Sequence, residues 1–207
     1  MTKRYDLYCP IAHALDLIGD RWSLMVVREL MRGPKRYTDL VSGLTGIGTN
    51  VLASRLRDLE THGILTRTTL APPAASKVYE LTDYGRDLQP VMHELGIWGA
   101  RSLGPPSTGA PLFDGWLGNA LHCAMAPLAP PGRFEFRVGD EVAALIDGEV
   151  QDGPVEDPDV VIEADPDGIY WMFVERRSDH VRVEGDGTLL DKLLQAAPSA
   201  LEAPIAG

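Results

Sequence analysis

Small polar and basic side chains are concentrated on one face of a predicted helix at residues 49–62. On its other face Leu52, Leu56 and Leu59 recur at helical spacing, which predicts a buried stripe. Small outer residues let a helix backbone approach DNA bases, and the amides at a helix start favour a phosphate. We therefore predict that this helix enters a DNA groove. The residues expected to contact DNA are Arg36, Thr38, Gly48, Thr49, Asn50, Ser54, Arg55, Arg57, Arg67 and Lys77.

The same pattern also fits an ordinary amphipathic surface helix. A predicted hairpin directly after the helix favours DNA binding, because Arg67 and Lys77 flank its proline-rich tip. Arg55 has an alternative of its own, since its side chain could reach either a phosphate or an acidic neighbour such as Asp58 or Glu60.

Helix signals precede and follow this segment. Pro10 suits the first position of one helix, Asp20 is expected to cap the next, and a third begins near Thr38. After the hairpin, Thr82 and Asp83 predict the start of one long helix. Three short helices, a recognition-type helix and a β-hairpin indicate a winged helix-turn-helix.

Charge divides the chain into two halves. Residues 1–104 carry 13 basic and 11 acidic side chains, whereas residues 105–207 carry 6 and 19. The second half would repel DNA, so any DNA contact is expected in the first. A Pro- and Gly-rich segment lies where the charge changes sign. We predict a DNA-binding and dimerisation domain at 1–104, a linker at 105–111 and a second domain at 112–207.

The second half reads as an α+β domain with a mostly antiparallel sheet. Residues 133–138 alternate as a half-buried strand, and Asp165 is expected to cap a helix that runs to Glu175. Further strands are expected near 141–146, 159–164 and 180–185, and further helices near 113–124 and 188–197.

Several classes of function are not favoured. Only two cysteines are present, and the scattered histidines match no metal-binding spacing. No nucleophile, base and orienting acid can be assembled, so we predict no catalytic residues, no metal, no cofactor and no enzyme activity. The absence of a long apolar run or signal segment favours a cytoplasmic protein without a membrane partner.

The first half resembles the HxlR family of winged helix-turn-helix regulators. The segments that carry the resemblance are Cys9-Pro10, Leu17-Ile18-Gly19-Asp20-Arg21-Trp22, Arg28-Glu29-Leu30, Gly33-Pro34-Lys35-Arg36-Tyr37-Thr38-Asp39-Leu40, Leu52-Ala53-Ser54-Arg55-Leu56-Arg57-Asp58-Leu59-Glu60, Gly63-Ile64-Leu65 and Tyr79-Glu80-Leu81-Thr82-Asp83-Tyr84-Gly85. Tyr37 stands where the family usually has Phe. The resemblance implies a homodimer that binds palindromic double-stranded DNA as a repressor or activator.

The same resemblance implies roles for two further groups of residues. The family dimerises through its first and last helices, although some of these residues are equally expected in the core of one chain. Cys9 matches a cysteine that senses oxidants or electrophiles in some relatives, and a nearby helix start favours its thiolate; a structural cysteine is the alternative. The implied dimer residues are Leu7, Tyr8, Ile11, Leu88, Val91, Met92, Leu95 and Trp98.

The second half resembles the sterol-carrier-protein family, through residues 160–165, residues 181–186 and the closing helix. This implies a pocket for an apolar effector such as a lipid, although each lining residue also fits a plain core. The implied lining is Trp116, Leu121, Tyr170, Trp171, Phe173 and Leu194. The chain is thus predicted to be a ligand-responsive DNA-binding regulator. The alternatives are a lipid carrier whose helix-turn-helix serves dimerisation only, and a hydrolase in the second domain.

Overall fold

The computed structural model describes residues 4–73, 75–106, 112–113, 115–125 and 129–196. It divides into two compact units, Met1–Gln89 and Pro90–Gly207. Most of the predicted linker at 105–111 lies outside the described residues. No helix in the described ranges is long and apolar enough to cross a lipid bilayer.

The first unit contains the helices and hairpin of a winged helix-turn-helix. Its two strands pair antiparallel, with Arg67 opposite Tyr79. The backbones of Lys35 and Tyr79 also exchange hydrogen bonds of 3.0 and 2.8 Å, which join the segment before the third helix to the hairpin. The elements are α1 (Pro10–Ile18), α2 (Ser23–Met31), α3 (Tyr37–Gly43), α4 (Thr49–Thr61), β1 (Leu65–Thr69), β2 (Lys77–Leu81) and α5 (Asp83–Arg86).

Two expectations for the first unit were wrong. Asp20 does not cap α2, because that helix begins at Ser23 after Trp22, whose φ is 83°. The Asp20 carboxylate instead lies against a side chain of α4. The long helix expected from Thr82 is two helices, α5 and α6 (Gln89–Leu103). Thr82 does cap α5, since its hydroxyl oxygen accepts the N–H of Gly85 at 3.0 Å.

The division between the units lies before most of α6, not at the predicted position after residue 104. Contacts with the helix α7 (Trp116–Ala124) explain this. The His93 ring is hydrogen-bonded to the carbonyl oxygen of Cys123. Gly96 also lies so close to α7 that a Cβ there would be 3.5 Å from the Cβ of Cys123. These contacts place α6 with the second unit.

The second unit is built around a five-stranded sheet in the order β5-β4-β3-β6-β7. Strands β3 and β6 are parallel and every other pair is antiparallel, so the expectation of a mostly antiparallel sheet is confirmed. Asp165 caps α8 as expected, by accepting the N–H of Gly168 at 2.6 Å. The remaining elements are β3 (Arg133–Val138), β4 (Glu141–Ile146), β5 (Glu149–Asp152), β6 (Val160–Ala164), α8 (Pro166–Glu175), β7 (Val181–Gly185) and α9 (Gly187–Ala196).

One carboxylate is buried in the sheet of the second unit. Glu135 accepts the backbone N–H of Val155 at 2.9 Å and two guanidinium N–H groups of Arg137 at 2.8 and 2.5 Å. Burial raises the pKa of Glu135, but these hydrogen bonds outweigh it and hold the pKa below its ordinary value. The hydrogen bond to Val155 ties the loop after β5 to the sheet.

Candidate nucleic-acid interface

Helix α4 has a fully buried face and an exposed polar face. Leu52, Leu56 and Leu59 have at most 2% of their surface exposed, so the predicted stripe is confirmed. Thr49, Asn50 and Arg57 are exposed on the rest of the helix. No ion pair involves the Arg57 guanidinium within the described residues. The helix therefore presents a free cation and small polar groups to solvent while its leucines fix its orientation.

The start of α4 is attached to α3. The Tyr37 hydroxyl donates a hydrogen bond of 2.9 Å to the backbone oxygen of Thr49. Gly48 precedes the helix with an ordinary φ of −73°, and its carbonyl accepts the N–H of Leu52 at 2.9 Å. The hydroxyl of Tyr37, which a Phe would lack, thus positions the end of α4 that carries Thr49 and Asn50.

The structure decides between the two alternatives for Arg55. Its guanidinium pairs with the carboxylate of Asp20 and, at 2.9 Å, with that of Asp58. Only 16% of the Arg55 side chain is exposed. The Ser54 hydroxyl also donates to Asp58, at 3.4 Å. We therefore reassign Arg55 from DNA contact to holding α4 against the segment before α2, and Ser54 is half-buried beside this pair.

A buried carboxylate lies beneath α3 and the hairpin. Glu29 accepts hydrogen bonds from Lys35 Nζ at 2.6 Å and from an Arg28 guanidinium nitrogen at 2.5 Å. Burial raises the pKa of Glu29, but the hydrogen bonds and charges of Lys35 and Arg28 together lower it by more than burial raises it. The pKa therefore lies below its ordinary value. Gly43 covers the same carboxylate, and a Cβ there would lie 2.6 Å from Oε2. Glu29 therefore joins α2, α3 and the segment between them, whose Lys35 also pairs through its backbone with Tyr79 of β2.

The hairpin and the start of α3 supply further exposed groups. Lys77 and Arg67 are exposed on β2 and β1, and the Arg67 guanidinium lies 5.6 Å from the centre of the Tyr79 ring. Arg36 and Thr38 are exposed at the start of α3, where the Arg36 N–H donates to Asp39 at 2.9 Å. The first unit thus exposes cations on α3, α4 and the hairpin.

Most of the residues expected in a dimer interface are exposed and apolar. Leu7, Tyr8 and Ile11 are exposed in the first unit, at 65%, 110% and 71%. On α6 of the second unit the exposed members are Val91, Leu95 and Trp98. Met92 is buried, so the alternative of a role in the core of one chain applies to it. Leu88 is half-buried.

The residues expected to line an apolar pocket are only partly brought together. Trp116, Tyr170 and Phe173 line one pocket of the second unit. Leu121 and Leu194 are instead buried in the core against the sheet. Trp171 does not line this pocket, and its ring lies edge-on to that of Tyr170 at 5.1 Å. The contribution of α6 to this pocket could not be predicted from the sequence, because the pattern of residues assigns this helix to the first domain.

The two cysteines differ in their surroundings. Cys9 is exposed directly before α1, whereas Cys123 is half-buried on α7. The described residues contain no cluster of three or more His, Cys, Asp or Glu side chains that could hold a metal ion.

Comparison with known proteins places this interface in a family. The model of HxlR-like helix-turn-helix proteins matches residues 17–106. The HTH-type transcriptional regulator sll1512 of Synechocystis sp. is 45% identical over 91 residues, which are 42% of this chain and 67% of that protein. The chain belongs to the HxlR family. The HTH-type transcriptional regulator YodB of Bacillus subtilis is 34% identical and aligns with 48% of this chain and 90% of its own length.

Another relative aligns with more of the chain than the family model does. The HTH-type transcriptional regulator Mb3122 of Mycobacterium bovis is 37% identical over 134 residues, covering 65% of this chain and 80% of that protein. Among solved structures, the reduced form of YodB from B. subtilis is 33% identical, covers 46% of this chain and 94% of its own, and has a TM-score of 0.41. The HTH-type transcriptional regulators that are similar in sequence support DNA-binding regulation as the activity. The resemblance of the second unit to sterol carrier proteins stays a prediction.

Proposed function

We propose that the chain is a transcriptional regulator that binds palindromic operator DNA as a homodimer. The observation that carries the proposal is α4, whose exposed Thr49, Asn50 and Arg57 stand opposite a fully buried leucine stripe. In this proposal α4 enters the major groove, while Arg67 and Lys77 of the hairpin and Arg36 before α3 contact phosphates. Thr38 and Gly48 approach the sugar-phosphate backbone of the DNA beside these phosphate contacts.

The homodimer is supported by exposed apolar side chains. Large side chains such as Tyr8, Ile11 and Trp98 gain hydrophobic free energy when a second copy covers them. A two-fold dimer with recognition helices about 34 Å apart would match successive major grooves on one side of DNA. We place the protein in the cytoplasm, because a regulator must share a compartment with its DNA.

The second unit is proposed to bind an apolar effector that changes DNA affinity. An effector can do this only if it binds more tightly to one arrangement of the dimer than to another. We propose no enzyme activity. The competing function is a lipid carrier whose helix-turn-helix serves dimerisation only, and DNA binding distinguishes the two.

Selection from a random double-stranded DNA library tests the proposal. We expect an enriched palindrome, and we expect its log affinity to fall linearly with log salt concentration because bound cations release counterions. Arg57→Ala is expected to weaken binding to that palindrome by about 1–3 kcal/mol if Arg57 reads a base. Fluorescence anisotropy of labelled DNA over a range of salt concentrations measures both effects.

Arg182→Ala is the matched control for Arg57→Ala. It also removes one exposed guanidinium, but from β7 of the second unit. Its binding is expected to equal that of the wild type. If no sequence is enriched and binding is independent of salt, the carrier function replaces the regulator. If Arg57→Ala and Arg182→Ala bind alike, Arg57 is an ordinary surface cation.

Cys9 is proposed as an oxidant-sensitive residue because it is exposed and directly precedes α1. Hydrogen peroxide converts an accessible thiolate to sulfenic acid. We expect such treatment to change operator affinity in the wild type and in Cys123→Ser but not in Cys9→Ser. An unchanged affinity in peroxide-treated wild type would leave Cys9 with a structural role.

A further inference from the structure

Three helices of the second unit line an apolar pocket of about 210 Å³ that is open to solvent on one side. One wall is α6, with Gly96 and Ala100, and the opposite wall is α7, with Ala120 and Ala124. Tyr170 and Phe173 of α8 complete it. All of the lining residues lie between Pro90 and Gly207, so the pocket is internal to one unit.

The pocket exists because small side chains face each other across two helices. Gly96 and Ala100 are four residues apart on α6, and Ala120 and Ala124 have the same spacing on α7, so each pair shares a helix face. Such faces let the helix backbones approach closely, as the 3.5 Å between a Gly96 Cβ position and Cys123 shows.

The lining determines the chemical class of the ligand. None of its residues is charged, so an ionised ligand would lose its hydration without a counter-charge. Tyr170 is one of the few lining residues with a polar group; burial and, secondarily, the charge of Glu175 raise the pKa of its hydroxyl, so it stays a neutral phenol. An apolar cavity of about 150 Å³ is known to hold a benzene molecule. A pocket of about 210 Å³ suits a neutral molecule of one or two rings.

Helix α6 has two faces with different roles. Gly96, Ala100 and Leu103 recur at helical spacing and line the pocket. Val91, Leu95 and Trp98 recur in the same way on the other side of the helix and are exposed at 51%, 43% and 65%. Because a helix moves as a rigid body, any shift of α6 at the pocket would also displace its exposed apolar face.

We propose that the pocket between α6, α7 and α8 is the effector site, that it takes a neutral one- or two-ring aromatic molecule, and that the bound molecule acts on DNA affinity by shifting α6 and its outer apolar face. The regulatory part of this inference rests on the proposed function, in which that outer face forms the dimer. The ligand-binding part does not, because it depends only on the lining.

The test uses 1-naphthol, a neutral two-ring phenol, as the probe. Equilibrium dialysis measures its binding to the full chain, and fluorescence anisotropy with the selected operator measures DNA affinity with and without it. We expect saturable binding of one 1-naphthol per chain and a change in operator affinity of about five-fold or more. Sodium 1-naphthoate, of similar size but charged, is expected not to bind.

A pair of glycine variants on α6 controls for folding and for helix propensity. Gly96→Leu places a side chain in the pocket, whereas nothing lies within 4 Å of a Cβ at Gly99. Gly96→Leu is expected to lose 1-naphthol binding by at least ten-fold and to bind operator with an affinity that 1-naphthol no longer changes. Gly99→Leu is expected to bind 1-naphthol like the wild type. Ala120→Phe, which fills the pocket from α7, is expected to repeat the result of Gly96→Leu.

Different failures overturn different statements. If 1-naphthol does not bind, or binds equally to Gly96→Leu, Ala120→Phe and the wild type, the pocket is not the site. If it binds in the expected pattern but operator affinity is unchanged, the shift of α6 is refuted while the binding site stands. If the chain binds no DNA, the proposed function fails, and the dialysis result still decides the pocket.

Discussion

Replacing Gly85 with alanine is expected to lower the free energy of unfolding of the DNA-binding unit by about 3 kcal/mol. A Cβ at this position would overlap the backbone oxygen of Ile64 and lie 3.2 Å from Cδ2 of Leu81. The carbonyl cannot move away freely, because it accepts the N–H of Thr82 at 3.1 Å where β2 meets α5. The added methyl group must therefore separate α5 from the hairpin.

Thermal and urea unfolding of the full chain measures this effect. Gly48→Ala is the matched control, since its φ is ordinary and the nearest atom to a new Cβ is 3.9 Å away. Because Gly48 is the N-cap of α4 and alanine is a poorer N-cap than glycine, the stability of this variant is expected to fall by only about 0.5–1 kcal/mol. We also expect weaker operator binding by Gly85→Ala, because the hairpin carries Arg67 and Lys77. Equal stability of the two variants would mean that α5 is not packed against Ile64.

Replacing Glu29 with glutamine is expected to lower the free energy of unfolding by about 3 kcal/mol. Glutamine keeps the shape of the side chain but removes the charge that Lys35 and Arg28 neutralise. The glutamine amide nitrogen is itself a donor, so it would face the N–H groups of Lys35 or Arg28, which need an acceptor. This loss is at the lower end of the range of about 3–5 kcal/mol for a broken buried ion pair. Lys35 and Arg28 keep 23% and 14% of their side chains exposed, so water can partly solvate their charges.

The pH dependence of stability identifies the same carboxylate. The pKa of Glu29 is lower in the folded chain than the value of about 4.3 for an unfolded glutamate. Its contribution is therefore complete above about pH 4.3 and declines as the pH falls through the lower folded pKa. Urea unfolding from pH 7 to pH 3 is expected to show a smaller loss of stability in Glu29→Gln than in the wild type.

Glu60→Gln provides the comparison for this result. Glu60 is an exposed carboxylate of α4, and its replacement is expected to leave both stability and pH dependence unchanged. Glu135, with its own lowered pKa, contributes to the acid sensitivity of the second unit in both variants. If Glu29→Gln and the wild type lost stability in parallel between pH 7 and pH 3, the Glu29 carboxylate would not be a stabilising anion.

The local parts of the first unit could be predicted from the sequence. The stripe of Leu52, Leu56 and Leu59 specifies one buried helix face, and the predicted helix at residues 49–62 agrees with α4 to within one residue. Capping was less reliable. Asp165 caps α8 as its position suggests. Asp20 was also expected to cap a helix, but its carboxylate pairs with Arg55, which lies 35 residues further along the chain and could not be identified as its partner from local sequence.

The remaining differences arise from contacts that are distant in sequence. Strand β5 carries no apolar alternation, since it is a short edge strand, and it forms because β4 offers a hydrogen-bonding edge. The break between α5 and α6 has no strong local signal. The buried role of Glu29 and the pocket wall supplied by Gly96 required knowledge of which helices pack together. The residues proposed to contact DNA stay a prediction, whereas Arg55 pairs with two carboxylates of the fold, one of them on a segment distant in sequence.

The segment matched by the HxlR family, residues 17–106, contains α6 but neither α7 nor α8. Of the three walls of the pocket, only one is therefore shared with the DNA-binding module. The other two can change their side chains without altering α4 or its operator. Under the proposed mechanism, redesign at positions such as Ala120 and Tyr170 would retune the chain as a biosensor, with a new inducer and the same promoter.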